Sequence, residues 1–378
     1  MRVAFYAPLK PPGHPHPSGD RRMARLLMRA LRLAGHEVML ASSFRAYDRA
    51  GDAAVQQRIA AKGTRIAAAL IERHRARPKA QRPQAWVTYH LYHKAPDYLG
   101  PTVAAALNIP YIVIEPSVAP SKRNGPWAAG YEAALDAISR ADAALCLNTV
   151  DPECVRPVLK RGTRLAPLRP FLDAAPYARA ALMRARHRRA LKADDAPLLL
   201  AVGMFRPGDK LDSYKLLAQA LARIADRPWR LLIVGDGDEK RTVKKVFATL
   251  KQRVEYLGEK SARAMPAIYA ACDLYVWPAV REAYGMAMLE AQASGLPVVA
   301  GRGVGVGDVV ADRRTGMLVA SDDPAALARE TAALLDDPER RRRMGKAALA
   351  NVQKHHDLAG AARLLDQTLR DAVRRKRA

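Results

Sequence analysis

Glu282 and Glu290 stand eight residues apart in the run Trp277-Pro278-Ala279-Val280-Arg281-Glu282-Ala283-Tyr284-Gly285-Met286-Ala287-Met288-Leu289-Glu290. Leu274 to Trp277 reads as a short apolar strand closed by Pro278. The residues from Gly285 read as a helix that Gly295 and Pro297 stop. Such a helix aims its free backbone N–H groups back toward Glu282 and makes a ready anion site. Glu290 falls about one and a half turns in. A phosphate site flanked by two carboxylates suits a ligand that carries both phosphates and hydroxyls, as a nucleotide sugar does.

Two further loops carry groups of the right kind. Gly203-Met204-Phe205-Arg206-Pro207-Gly208-Asp209-Lys210 follows an apolar run. Arg206, as a fork, and Lys210, as a point charge, can both reach a diphosphate. Near the N-terminus, Pro11 to Asp20 forms a loop stiffened by Pro, in which Gly19 lets backbone approach a ligand closely. The common nucleotide signatures fail. Gly301, Gly303, Gly305 and Gly307 would need glycine at 306 or 308 for GxGxxG, and Val306 and Asp308 stand there. No Walker A sequence is present, so a dehydrogenase or P-loop NTPase is disfavoured.

The elements that must hold these loops recur along the chain. Six short apolar runs (Val3–Ala7, Val38–Ala41, Trp86–His90, Tyr111–Glu115, Ala143–Leu147, Arg164–Leu168) alternate with helical segments. Six more do so in the second half (Leu198–Gly203, Leu231–Gly235, Val254–Gly258, Leu274–Trp277, Val298–Ala300, Met317–Val319). This predicts an α/β protein with two doubly wound parallel sheets, whose loops at the strand ends converge on an interdomain cleft. The expected boundaries are 1–172, a helical linker over 173–195, 196–350, and a C-terminal helix with a basic tail over 351–378. Asp20 is expected to cap the first helix, with Met23, Leu26, Leu27 and Leu31 as its apolar face.

Composition narrows the partners. Of 378 residues, 49% are hydrophobic, enough for a large core. The first seven residues read as a strand, not as a signal peptide, and no run is long enough to span a membrane. The three cysteines show no zinc spacing, so a reducing cytoplasm is the expected location. The net charge is +26, and residues 1–100 carry 18 Lys/Arg against 6 Asp/Glu. That excess points to an anionic partner, with membrane surface, acidic substrate and nucleic acid as the alternatives. His90 and His93 have the spacing of a metal pair but no third ligand, and lining of an acceptor site is an alternative reading.

Together these residues make the chain resemble a retaining glycosyltransferase of family 4, with the GT-B fold. The most specific element is the E-x7-E block from Glu282 to Glu290. Gly235-Asp236-Gly237, Val254 to Gly258, Ala270 to Trp277, Thr315 to Val319, Ser18-Gly19 and Gly35 to Val38 support it. The resemblance implies that Glu282 contacts the donor sugar and Glu290 the ribose. Backbone at Tyr284, Gly285 and Met286 holds the diphosphate and sugar. Arg206 and Lys210 neutralise the leaving diphosphate, although Arg206 stands two residues beyond the family's usual place, here Met204. Gly19 and Gly258 join the donor-binding set, the base packing near Gly258. No divalent metal or other cofactor is expected. Where the family often has His after the fourth strand, this chain has Glu115.

The implied activity is transfer of a sugar from a nucleoside diphosphate sugar to a hydroxyl acceptor, with retention, in envelope or exopolysaccharide synthesis. The acceptor would be a carbohydrate or a lipid-linked one, bound by the domain over 1–172 while that over 196–350 binds the nucleotide sugar, and the C-terminal helix over 351–378 would cross back to the first domain. The protein would sit in the cytoplasm, peripheral on the inner face of the membrane. The alternatives are a GT-B epimerase or phosphorylase, and a basic nucleic-acid-binding protein. The latter rests on charge alone, since aromatic content is 6% and no binding motif is seen.

Overall fold

The structure, a computed structural model, describes every residue except Pro17, Asp194, Asp195, Ala283, Val304 and Ala378. The apolar runs are strands, β1 (Arg2–Tyr6), β2 (Glu37–Ser42), β3 (Ala85–Leu91), β4 (Tyr111–Pro116), β5 (Ala143–Cys146) and β6 (Arg164–Pro167). The second half has β7 (Leu198–Val202), β8 (Arg230–Val234), β9 (Val254–Gly258), β10 (Leu274–Trp277), β11 (Val298–Gly301) and β12 (Gly316–Val319). They fall within a residue or two of the expected runs. Near-continuous apolar sequence suits strands covered on both faces, and every residue of β4, β5, β10 and β11 is buried.

The strands form two all-parallel sheets, ordered β2-β1-β3-β4-β5-β6 and β12-β11-β10-β7-β8-β9. In the first sheet the winding reverses between β1 and β3. In the second it reverses between β7 and β10. Open parallel sheets leave a crevice at such a reversal, outside the carboxyl ends of the strands. Each sheet thus designates two loops as ligand-binding before any side chain is considered.

Contacts divide the chain into Met1–Arg169 with Leu358–Ala378, and Pro170–Asp357. The stretch 173–195, expected as a linker, is helical over Ala175–Ala181 and Arg184–Ala190 and packs on the helix Met265–Ala271 of the second unit. Asp273 anchors it, accepting from Arg184 at 2.7 Å, Arg188 at 2.8 Å and the Leu198 N–H at 2.8 Å. Chain return to the first unit begins at Leu358 and not at 351. The helix Pro338–His355 runs on against Met286–Ala293, and buried His356 then bonds the Pro170 carbonyl at 2.7 Å. The last helix, Leu358–Arg377, lies on Gly19–Leu33 in the first unit and stays helical through the basic tail.

The first helix is capped by Ser18, not Asp20: the Ser18 hydroxyl accepts from the Arg21 N–H at 3.2 Å. An extended backbone at Ser18 suits the cap, and Asp20 falls inside the first turn, free to pair elsewhere. In the second unit, Gly301 ends β11 beneath the loop from β10. A Cβ there would lie 1.7 Å from the Pro278 carbonyl oxygen and 2.8 Å from Ser321 Cα. Both neighbours are backbone, so Gly301→Ala is expected to cost the second unit about 2–3 kcal/mol. An unchanged urea midpoint for that unit would contradict this.

Candidate functional site

At the reversal of the second sheet, β7 and β10 lie side by side, and their loops carry Lys210 and Glu282. The β7 loop ends at Gly208, whose φ of +79° turns the chain into the helix Asp209–Ala222. Lys210 is that helix's second residue. Its Nζ pairs with Glu282 Oε2 and lies 5.4 Å from the centre of the Trp277 ring. Trp277 is buried at the end of β10 and meets Tyr214 edge to face at 4.9 Å. The Tyr214 hydroxyl donates to the Gly203 carbonyl at 2.8 Å, fixing the root of the β7 loop. Lys210 and Glu282 keep side-chain exposures of 17% and 21%, so a ligand can reach them. Burial, with the Glu282 charge added, raises the Tyr275 hydroxyl well above its ordinary pKa.

Two more bonds lock the loops together. The Val280 N–H donates to Ser213 Oγ at 3.2 Å, and Arg281 Nε to Asp209 Oδ1 at 2.6 Å. Ala279 and Arg281 are left-handed, with φ of +57° and +46°. Non-glycine residues adopt this region at a cost, and such positions concentrate at functional sites. Gly285, with φ +66°, begins the helix Met286–Ala293. The Met288 and Leu289 N–H groups bond the Gly285 carbonyl at 2.8 and 3.0 Å, and those of Met286 and Ala287 precede any intrahelical acceptor. Gln292 holds the helix to the next loop through the Val309 carbonyl at 2.8 Å.

The structure sorts the expected site residues by position. Lys210 and Glu282 touch. Gly285 and Met286 start the helix, half-buried Tyr284 precedes it, and Glu290 is buried one turn past Met286 on the same face. Arg206 is exposed in the β7 loop, without an ion-pair partner among the described residues. Gly258 ends β9 two strands from β7, with φ +71°, and its carbonyl accepts from the Gly235 N–H at 3.1 Å. Gly19 belongs to the first unit, as the first residue of Gly19–Leu33. Sequence reasoning missed Trp277 as the seat of Lys210 and the Asp209–Arg281 bridge. An aromatic ending the strand and an Asp before Lys210 were the available signals. Among the described residues, no group of three His, Cys, Asp or Glu is placed to hold a metal ion. No described helix is long and apolar enough to cross a membrane.

Two all-parallel, doubly wound six-stranded sheets define the GT-B fold, and the molecule resembles GT-B proteins along nearly its whole length. The sucrose-phosphate synthase of Thermosynechococcus elongatus superposes with a TM-score of 0.73 at 19% identity, covering 98% of both chains. Anabaena HepE, solved with UDP and glucose, does so with a TM-score of 0.71 at 16% identity, covering 98% of this chain and 99% of that one. Residues 196–337, within the second unit, match the family Glycosyl transferases group 1. Two curated relatives agree. A D-inositol 3-phosphate glycosyltransferase of Corynebacterium efficiens is 34% identical over 154 residues, 39% of this chain and 36% of that protein. A GDP-mannose-dependent phosphatidylinositol monomannoside mannosyltransferase of Corynebacterium glutamicum is 34% identical over 168 residues, 42% of this chain and 43% of that protein. These matches span well under half the length of the curated relatives. The likeness to GT-B proteins thus holds for the fold along the chain, and the family match for residues 196–337.

Proposed function

We propose that the protein transfers a sugar from a nucleoside diphosphate sugar to a hydroxyl acceptor with retention of configuration, in the synthesis of an envelope glycoconjugate. The Lys210–Glu282 pair at the sheet reversal, before the N-terminus of Met286–Ala293, carries this reading. As the glycosidic bond breaks, negative charge grows on the departing diphosphate and positive charge on the sugar. Lys210, Arg206 and the helix N–H groups stabilise the first, and Glu282 the second. In the resting protein Glu282 holds Lys210 in place. Glu290 is assigned to the ribose, with the base near Gly258. The cationic groups supply the charge neutralisation that a divalent metal gives elsewhere, so transfer is expected to persist in EDTA.

HepE's complexes with UDP and with UDP-glucose favour a uridine donor for that fold, while the mannosyltransferase relative is named for GDP-mannose. A thermal-shift panel of UDP, GDP and ADP sugars decides between them. The true donor at a hundred times its Kd is expected to stabilise the protein by about 2.7 kcal/mol. No shift with any donor overturns the proposal. For an acceptor at an anionic membrane, the support is the basic first unit, where Arg25, Arg29 and Arg32 are exposed. Part of that stripe is already engaged: Arg21 and Arg25 clamp the first loop through the carbonyls of His14 at 2.8 Å and Pro12 at 2.7 Å. Location on the cytoplasmic face follows from the same reading, since nucleotide sugars and anionic lipid meet there.

A further inference from the structure

The first sheet has its own reversal, between β1 and β3, and the side chains gathered there are of a different kind. His90 near the end of β3 places Nδ1 3.0 Å from Asp20 Oδ1 and 3.4 Å from Glu115 Oε1. Asp20 comes from the helix that follows the β1 loop, and Glu115 from the end of β4, beside β3. His90 and Glu115 are both left-handed, with φ of +58° and +57°. Among the described residues seven non-glycine positions have positive φ. Four of them, these two with Ala279 and Arg281, lie at the strand ends by the two reversals, so the first unit carries the same strain signature as the donor loops.

Glu115 is 3% exposed, and its Oε2 is buried without a close hydrogen bond among the described residues, although the Tyr89 hydroxyl acts on the carboxylate as a donor. A buried carboxylate oxygen without a donor is costly. Folding has therefore put an open acceptor at the place where the sheet topology puts a ligand. Asp20, with a third of its side chain exposed, opens the cluster to solvent.

We propose that this crevice seats a hydroxyl of the acceptor, with Glu115 Oε2 accepting its hydrogen bond and His90, itself held by Asp20, fixing the Glu115 carboxylate in position. The inference rests on the transferase reading for the word acceptor, but the site itself does not depend on the donor site. It also names a substrate class. One imidazolium faces Asp20, Glu115 and, beyond them, Asp151. A neutral polyol or an amino sugar donates into such a cluster, whereas a phosphate placed at that point is repelled. Any phosphate on the acceptor must lie toward the rim, where Lys10 and Arg45 face these groups.

Titration supports the arrangement. Burial pushes the Glu115 carboxyl up to about 7, Asp20 and Asp151 adding to it while His90 and Tyr89 oppose. For His90, burial works downward, but Glu115 and Asp20 prevail and raise it to about 9. Tyr92, Tyr47, Cys146, Arg45 and Lys10 are further charged and titratable groups around the pair. Near neutrality His90 is therefore charged while Glu115 is changing state. Probe affinity should rise as pH passes upward through about 7, where the carboxylate becomes the better acceptor.

The test is binding of myo-inositol, glucosamine and inositol 3-phosphate to the full chain without donor, by calorimetry from pH 6 to 8. Myo-inositol or glucosamine is expected to bind, with affinity rising at least threefold over that range. Glu115→Gln is expected to lose at least tenfold in affinity and to flatten the pH dependence, while nucleotide-sugar binding is retained. No binding by either neutral or amino probe, or unchanged affinity and pH dependence in the variant, overturns the proposal. So does tighter binding of the phosphorylated probe that Glu115→Gln strengthens. Should the variant not fold, wild-type protein with labelled histidine decides. The His90 resonance, titrating near 9, must move on adding the bound probe, and an unmoved signal overturns the proposal. Because no donor is present, failure here leaves the nucleotide-sugar assignment standing, and failure of the thermal-shift panel leaves this site to be judged alone.

Discussion

Lys210→Ala is expected to lower kcat for sugar transfer by about 10²–10³ while leaving the second unit folded. The side chain is a point charge held over the Trp277 ring and against Glu282, at the mouth of the crevice between β7 and β10. On the proposed reading Nζ faces the departing diphosphate oxygens, and a unit charge at about 4 Å is worth about 4 kcal/mol at an intermediate dielectric. Most of that is realised only as charge develops, so the loss appears in kcat more than in KM. Both partners are part-exposed, so losing the pair costs little stability. Glu282→Ala is expected to be at least as damaging, since it removes the carboxylate proposed to face the sugar and frees Lys210 to wander. Steady-state kinetics with the donor found by thermal shift, beside a circular-dichroism melt, checks both variants. Full activity in Glu282→Ala would remove the assignment of the whole site.

The largest stability effect is expected at Asp97 in the first unit. Its carboxylate is buried and accepts four bonds: from the Leu99 and Gly100 N–H groups at 2.8 Å each, from Thr88 Oγ1 at 2.5 Å and from the Tyr111 hydroxyl at 2.9 Å. Thr88 in turn accepts from Trp86 Nε1 at 2.9 Å. One side chain thus ties β3 to β4 and starts the helix Gly100–Ala106. Gly100 leaves it room, since a Cβ there would stand 2.3 Å from Asp97 Oδ2. Asp97→Ala strands two backbone donors, a threonine and a tyrosine hydroxyl in the core. The expected cost is about 3–4 kcal/mol, with Asp97→Asn losing less because its oxygen keeps part of the network. Denaturant unfolding followed by the fluorescence of buried Trp86 measures it. A loss under about 1 kcal/mol would show that the network is dispensable.

Much of the architecture was legible because parallel strands advertise themselves. Leu274–Trp277 and Tyr111–Ile114 are apolar without alternation, as strands covered on both faces must be. The glutamate block was legible because Gly285 and Gly295 bracket a helix of one length. Other features left no such mark. Ser18 and Asp20 are both good caps, and only the chain path into the helix chose Ser18. The stretch 173–195 looks like a charged linker, yet Arg184 and Arg188 are drawn onto Asp273, a partner some 85 residues away that no local pattern names.

The sequence by itself determined the alternation of strands and helices, the loops that end them and the chemistry each loop carries, because these depend on periodicity and on neighbours in the chain. Strand order belonged to the tertiary structure. Crossovers between parallel strands can place a strand on either side of its predecessor, and only the packed sheets decided that β7 meets β10 and β1 meets β3. That choice made Lys210 the partner of Glu282 across 72 residues, and it turned Asp20, His90 and Glu115 from three scattered residues into one part-buried cluster.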